Sequence, residues 1–180
     1  GAANAVINVH LAGQCGDLAE IHALARRHRL RIVEDACHAI GTTYASGGRI
    51  GDNGFSDLTC FSFHPVKTIA MGEGGALTTN DPTLANIVAR DRSHGMTRDP
   101  RDFALADEAF DERNEAHPWY YEMESPGLNY RIPDILCALG ISQLKKLERF
   151  TARRRDLVAR YDAEIKRLSP LIKPLARTQG

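Results

Sequence analysis

The chain has 180 residues, 43% of them hydrophobic and 26% charged, and its 23 basic residues balance its 23 acidic ones. That length can bury a real core in one domain with a helical appendage, and the balanced charge argues against a nucleic-acid or membrane-surface role, which needs a concentrated basic excess. No apolar stretch approaches the roughly eighteen residues of a membrane span, and no signal-peptide pattern is read at the N-terminus. The cysteines (Cys15, Cys37, Cys60, Cys137) are scattered without zinc spacing. Reduced thiols in a cytoplasmic protein are therefore expected.

Ala5 to Val9 is short, apolar and β-branched, and reads as a buried strand. Asp17 caps a helix whose apolar face is Leu18, Ile21, Leu24 and Ala25, ending near His28. Arg31 to Glu34 is the next strand. Strand, helix and strand within about thirty residues form a βαβ unit, so these strands pair in parallel with a right-handed crossover. Glycines and polar residues from Gly41 to Gly54 mark a loop, and Leu58 to Phe63 and Gly75 to Thr79 follow as strands. The gap between the last two is too short for a crossover helix, so they are expected to be antiparallel.

Asp81-Pro82 opens a helix running to about His94, with proline suited to the first helical position. Residues 97–118 are polar and acidic and read as a solvated excursion. The last third is helical. Ile135, Leu136, Leu139, Leu144 and Leu147 fit one helix or a pair, and Phe150, Leu157, Tyr161, Ile165 and Leu168 trace a stripe on a longer one. The run Arg153-Arg154-Arg155 lies off that stripe and reads as its solvated face. Both ends look cut, so a piece of a longer protein is expected.

Two segments carry chemistry. The first is Glu34-Asp35-Ala36-Cys37-His38, at the carboxyl end of a predicted parallel strand, the edge where open α/β sheets bind ligands. A carboxylate there can keep a heterocyclic nitrogen protonated, although a strand-then-Asp junction also suits a helix cap. The second is Phe61-Ser62-Phe63-His64-Pro65-Val66-Lys67, followed by Gly72-Glu73-Gly74-Gly75. A lysine just past a strand end, with glycines behind it, can meet a planar ligand and form a Schiff base, or can simply be solvated. There is no GxGxxG fingerprint and no GxxxxGK[ST] loop. Pyridoxal-phosphate (PLP) enzymes need both a lysine to link the cofactor and an aspartate facing its ring nitrogen. Here these lie thirty-two residues apart on neighbouring predicted strands.

Taken together, Glu34 to Ala39, Gly51-Asp52, Cys60 to Lys67, Glu73-Gly74-Gly75, Thr79-Asn80-Asp81, Asn129 to Asp134, Ala138-Leu139-Gly140 and Gln143-Leu144 resemble the DegT/StrS family of PLP-dependent sugar aminotransferases. The likeness runs in order over nearly the whole chain. Within the family, His64 to Lys67, Arg92 to Met96 and Trp119 to Met123 are most similar to the C4 aminotransferases of pseudaminic acid biosynthesis.

The resemblance implies the central part of the fold type I (aspartate aminotransferase-like) large domain, α/β with a mostly parallel sheet, one antiparallel strand and following helices. Residues 1–148 would belong to that large domain, and 149–180 would lead toward a C-terminal small domain. It implies that Lys67 links PLP and then moves the substrate proton, that Asp35 binds the ring nitrogen and that His38 sits near the ring's phenolic oxygen. His38 as a buried structural residue is the other reading. Ser62 matches a phosphate ligand, and Asn129 matches a residue that reaches the partner subunit's cofactor, which makes the site a property of a homodimer. His64 is a substrate-facing candidate beside the lysine, with plain packing as the alternative. For His10, substrate contact and a supporting role both stay open.

Retention of lysine at position 67 favours transamination over dehydration. Glutamate would load the amino group, and a nucleotide-linked (UDP) 4-keto-6-deoxy sugar would receive it. The family's N-terminal phosphate-binding segment has no match in these residues. The competing expectation is therefore a truncated, non-catalytic domain that serves only dimerisation or binding.

Overall fold

The computed structural model describes residues 3–177. They form two compact units. One comprises the described residues up to Asn80 together with those from Ile132 onward, and the other is Asp81–Arg131.

The first unit is built on a four-stranded sheet of β1 (Ala5–Val9), β2 (Arg31–Asp35), β3 (Leu58–Ser62) and β4 (Gly75–Thr78), in that spatial order. β1, β2 and β3 are parallel, and β4 runs antiparallel to β3, as the short β3–β4 connection requires. The crossover from β1 to β2 is α1 (Leu18–His28). Asp17 caps it by accepting a 3.1 Å hydrogen bond from the Glu20 amide, a contact of about 1 kcal/mol.

Side chains alternate across a strand, and register partners in neighbouring strands share a face. One face therefore carries Ile32, Glu34 and Thr59, all buried, under a core of Cys15, Leu18, Ala36, Ala39, Tyr44 and Ile50. The register row Val9–Asp35–Cys60–Leu77 crosses the other face. That face is open: Ile7 is 66%, Val9 53% and Leu77 46% exposed. β1 has the strand geometry expected, but it is not buried among the described residues: it stands at the edge of the sheet with Ile7 and Val9 exposed, while Val6 shares the covered face with Ile32.

Later in this unit, α4 (Asp134–Leu144) and α5 (Leu147–Lys166) supply the expected helical third. Gly140 on α4 is buried beside Met71, where an added Cβ would sit 3.0 Å from the sulfur. Around the rest of α4, Ile135, Leu139, Ile141 and Leu144 are exposed. Arg153, Arg154 and Arg155 are exposed on α5, as a solvated face should be. The four cysteines are all free thiols.

The second unit holds α2 (Pro82–Asp91), a two-stranded antiparallel pair of β5 (Met96–Thr97) and β6 (Glu122–Met123), and the short α3 (Ala106–Ala109) between them. Asp81 caps α2 through the amides of Thr83 and Leu84, and Pro82 stands in its first turn. α2 ends three residues before the expected boundary, because the chain turns at His94-Gly95 with positive φ at both residues. That turn is held by His94 N–H to the Leu128 carbonyl (2.9 Å), Leu128 N–H to Asp91 (2.7 Å) and Glu124 N–H to Gly95 (3.0 Å).

Gly95 has φ +69°, and a Cβ there would fall 1.7 Å from the Ser125 carbonyl oxygen. The clash is with backbone, so no side-chain rotation relieves it. Gly95→Ala is expected to destabilise the protein by about 3 kcal/mol, read as a lowered urea midpoint. A change below about 0.5 kcal/mol would mean that this turn is not formed in solution.

Candidate active site

Because β2 and β3 are parallel, their carboxyl ends lie at one edge of the sheet, and Asp35, Ser62 and the loop carrying Lys67 are found there. Asp35 is the last residue of β2 and pairs in register with Cys60. Ser62, two residues further along β3, shares the Asp35 face and pairs with Gly75 at the start of β4. Past Ser62 the chain makes a tight turn with Pro65 at its second position, closed by Lys67 N–H donating to the His64 carbonyl at 2.9 Å. The Met71 amide then returns to Phe63 at 3.0 Å, and Phe63 N–H to Gly74 at 2.9 Å. These bonds hold the loop carrying Lys67 against the strand ends. Lys67 is half-buried, and His64 is exposed beside it.

Asp35 is half-buried, and its Oδ1 accepts from the Cys37 amide at 3.0 Å. Hydrogen bonding from Cys37, side chain and amide, holds its carboxyl below the usual aspartate range. Burial opposes this, and the charges of His38 and Lys67 add to the lowering. Asp35 is therefore a carboxylate at neutral pH, and Lys67 lies within its electrostatic reach. The Cys37 thiol is pushed up to about 11, first by burial and then by Asp35, which makes it a poor nucleophile. His38 is exposed rather than buried, with its Nδ1 3.5 Å from the Ala12 amide. Asn129 belongs to the second unit, where it is exposed and bridges to Ser93.

His10 is placed differently from the other candidates. It is 0% exposed, and its Nε2 lies 2.7 Å from Glu34 Oε2 on the hidden face of the sheet. Substrate contact by His10 is therefore corrected to a supporting place behind the site. Glu34, also 0% exposed, accepts from Tyr44 Oη (2.7 Å), Ser56 Oγ (2.5 Å) and Thr59 Oγ1 (3.3 Å) as well. The sequence reading passed over this cluster. Its signal was parity: Glu34 shares the inward face with Ile32, and a carboxylate at an inward position requires donors around it.

Burial works to raise the Glu34 pKa, but hydrogen bonds from His10, Ser56 and Tyr44 outweigh it, and the net shift is downward. A depressed carboxyl pKa stabilises the fold above the unfolded value and loses that contribution as pH falls through the folded one. Wild-type stability is thus expected to fall on acidification below about pH 4.5, and less steeply in Glu34→Gln, as read by urea midpoints across that range. Equal slopes would assign acid sensitivity to other carboxylates.

A recess of about 560 Å³ lies beside Arg31, Asn53 and Asp57, at the opposite end of β2, and none of the candidate residues lines it. Asp35 and Ser62 lie instead at the other end of the strands, on the open face.

Residues 1–179 match the DegT/DnrJ/EryC1/StrS aminotransferase family. The chain belongs to this family. It is 39% identical over 178 residues to the spore coat polysaccharide biosynthesis protein SpsC of Bacillus subtilis, covering 98% of this chain and 42% of that protein. The UDP-4-amino-4,6-dideoxy-N-acetyl-beta-L-altrosamine transaminase of Campylobacter jejuni is 34% identical over 163 residues, covering 91% of this chain and 38% of that one. Among solved structures, Helicobacter pylori PseC, an aminotransferase involved in the biosynthesis of pseudoaminic acid, matches with a TM-score of 0.67 and 33% identity. That match covers 81% of this chain and 34% of PseC. The chain thus spans about two fifths of the length of the curated relatives it matches, at 42% and 38%.

Aminotransferases of the DegT/DnrJ/EryC1/StrS family use PLP. The donor set at the strand ends fits that group: a carboxylate for a protonated ring nitrogen, a primary amine for an aldehyde carbon and a strand-end hydroxyl for a phosphate.

Proposed function

We propose that the protein is a PLP-dependent aminotransferase that moves an amino group from glutamate to a nucleotide-linked 4-keto-6-deoxy sugar, with UDP as the nucleotide. One observation carries the reading. Asp35, held as a carboxylate, Ser62 and the Lys67 turn meet at the edge where the parallel strands end, on the open sheet face. The names of the relatives, one of them a transaminase of a UDP-linked amino sugar, favour that substrate class.

When bound, PLP supplies a ring that takes up the electrons released as the substrate's Cα–H bond breaks. The chain's own residues do the rest. Asp35 would keep the proton on the ring nitrogen, Ser62 Oγ would hold the phosphate, and exposed His38 would serve the phenolic oxygen. Lys67 Nζ would hold the cofactor through its primary amine and, when free and uncharged, would take up and return the proton at the substrate's Cα. His64, exposed beside Lys67, faces the sugar.

Asn129 reaches the cofactor phosphate of a partner subunit in a homodimer. The exposed apolar residues of α4, Ile135, Leu139, Ile141 and Leu144, support association. Residues 1–148 belong to the cofactor-binding large domain, and 149–180 lead out of it. The enzyme acts in the cytoplasm; among the described residues no helix is long and apolar enough to cross a membrane.

The test is to add PLP, record the visible spectrum, reduce with borohydride and locate the added mass. It is expected on the peptide containing Lys67. A protein that takes up no PLP, or carries the label elsewhere, would overturn the reading and leave the association role in its place.

A further inference from the structure

Glu34 and Asp35 are consecutive residues of β2 that face opposite ways. Glu34 takes no part in the proposed chemistry, yet its partners bracket Asp35. His10 follows Val9, the register partner of Asp35 on β1, and its amide donates to the Asp35 carbonyl at 3.0 Å. Thr59 precedes Cys60, the register partner of Asp35 on β3, and the Cys60 carbonyl accepts from Ala36 at 2.8 Å. Tyr44 and Ser56 come from the β2–β3 connection, the segment that also carries His38. One buried carboxylate therefore ties both strands flanking Asp35, and the connection beyond it, to the hidden side of the residue next to Asp35. The second layer of the cluster is also bonded: Asn53 Nδ2 donates to Thr59 (3.0 Å), and Thr78 Oγ1 on β4 donates to Asn53 (2.8 Å). All four strands are linked through it.

We propose that Glu34 is a positioning residue for the transamination proposed above, on which this inference rests: its clamp fixes the end of β2 so that the Asp35 carboxylate is aligned with the cofactor's ring nitrogen. A carboxylate that pairs with a planar cation is sensitive to displacements well under 1 Å, because charge-assisted hydrogen bonds are short and directional. Glu34→Gln keeps the shape but cannot accept from all four donors at once. The strand end then relaxes while the fold remains.

The experiment is a double-mutant cycle in the protein expressed from its complete gene. Glu34→Gln, Asp35→Asn and the double variant are compared by far-ultraviolet circular dichroism, by PLP dissociation constant and by circular dichroism of the visible band of bound PLP. Tyr44→Phe, which removes a single donor to Glu34, repeats the cycle should Glu34→Gln fail to fold.

Glu34→Gln is expected to weaken PLP binding about tenfold and Asp35→Asn about a hundredfold, with the double variant no weaker than Asp35→Asn alone. The visible dichroism of Glu34→Gln should move toward that of Asp35→Asn. If Glu34→Gln lowers only the melting temperature, with PLP affinity and visible band as in wild type, Glu34 is merely structural and the proposal is overturned. Effects that multiply fully in the double variant overturn it as well. Should Asp35→Asn itself bind PLP like wild type, the assignment of Asp35 falls and this inference falls with it, an outcome distinct from the other two.

Discussion

Lys67→Arg, in the protein expressed from its complete gene, is expected to slow amino transfer by about a thousandfold or more while PLP is still taken up. The reason is chemical rather than structural. Lys67 is half-buried in a turn held by backbone bonds to His64, and no side-chain hydrogen bond of its own supports the loop among the described residues. Arginine preserves the charge beside Asp35, so the electrostatics that hold the Asp35 carboxylate survive. What is lost is a primary amine that can link an aldehyde carbon and then, uncharged, accept a proton. A guanidinium with a pKa above about 12 does neither at neutral pH. Transfer from glutamate to a UDP-linked 4-keto sugar, measured alongside PLP uptake, separates the two effects. Near-wild-type turnover in Lys67→Arg would show that the amine is elsewhere.

The second large effect is on stability. Glu34→Ala is expected to destabilise the protein by about 3 to 5 kcal/mol, because it removes the buried acceptor of a hydrogen-bonded cluster and leaves its donors unmatched. His10, Tyr44, Ser56 and Thr59 all direct a polar atom at the Glu34 carboxylate, and Glu34, His10 and Thr59 are 0% exposed. The cavity left by the side chain adds to the cost. Glu34→Gln, which fills the same space, should lose markedly less. Chemical denaturation of both variants at neutral pH measures the difference. Losing less than about 1 kcal/mol in Glu34→Ala would mean that water enters and satisfies the four donors.

Much of the framework was legible before any coordinates. Short β-branched runs fixed β1, β2 and β3 to within a residue, Asp17 and Asp81 marked both capped helices, and the short β3–β4 connection required antiparallel pairing. These are local signals, since chain stiffness, orphan amides and connection length act within a few residues. The Asp35 and Lys67 segments were legible for a related reason, as each is a contiguous motif at a strand end.

Three things were decided only by tertiary structure. Ile7 and Val9 look like core residues by composition, yet register places both on the sheet face opposite buried Ile32 and Glu34, where they are exposed among the described residues. The end of α2 was set by the His94-Gly95 turn and its bonds to Leu128 and Glu124, about thirty residues downstream in the sequence. His10 was a candidate for substrate contact by motif, but the sheet turned it inward onto Glu34. Which way a polar side chain faces depends on register between strands twenty or more residues apart, and the partners that make its burial tolerable, Tyr44, Ser56 and Thr59, are assembled only when the sheet closes over them.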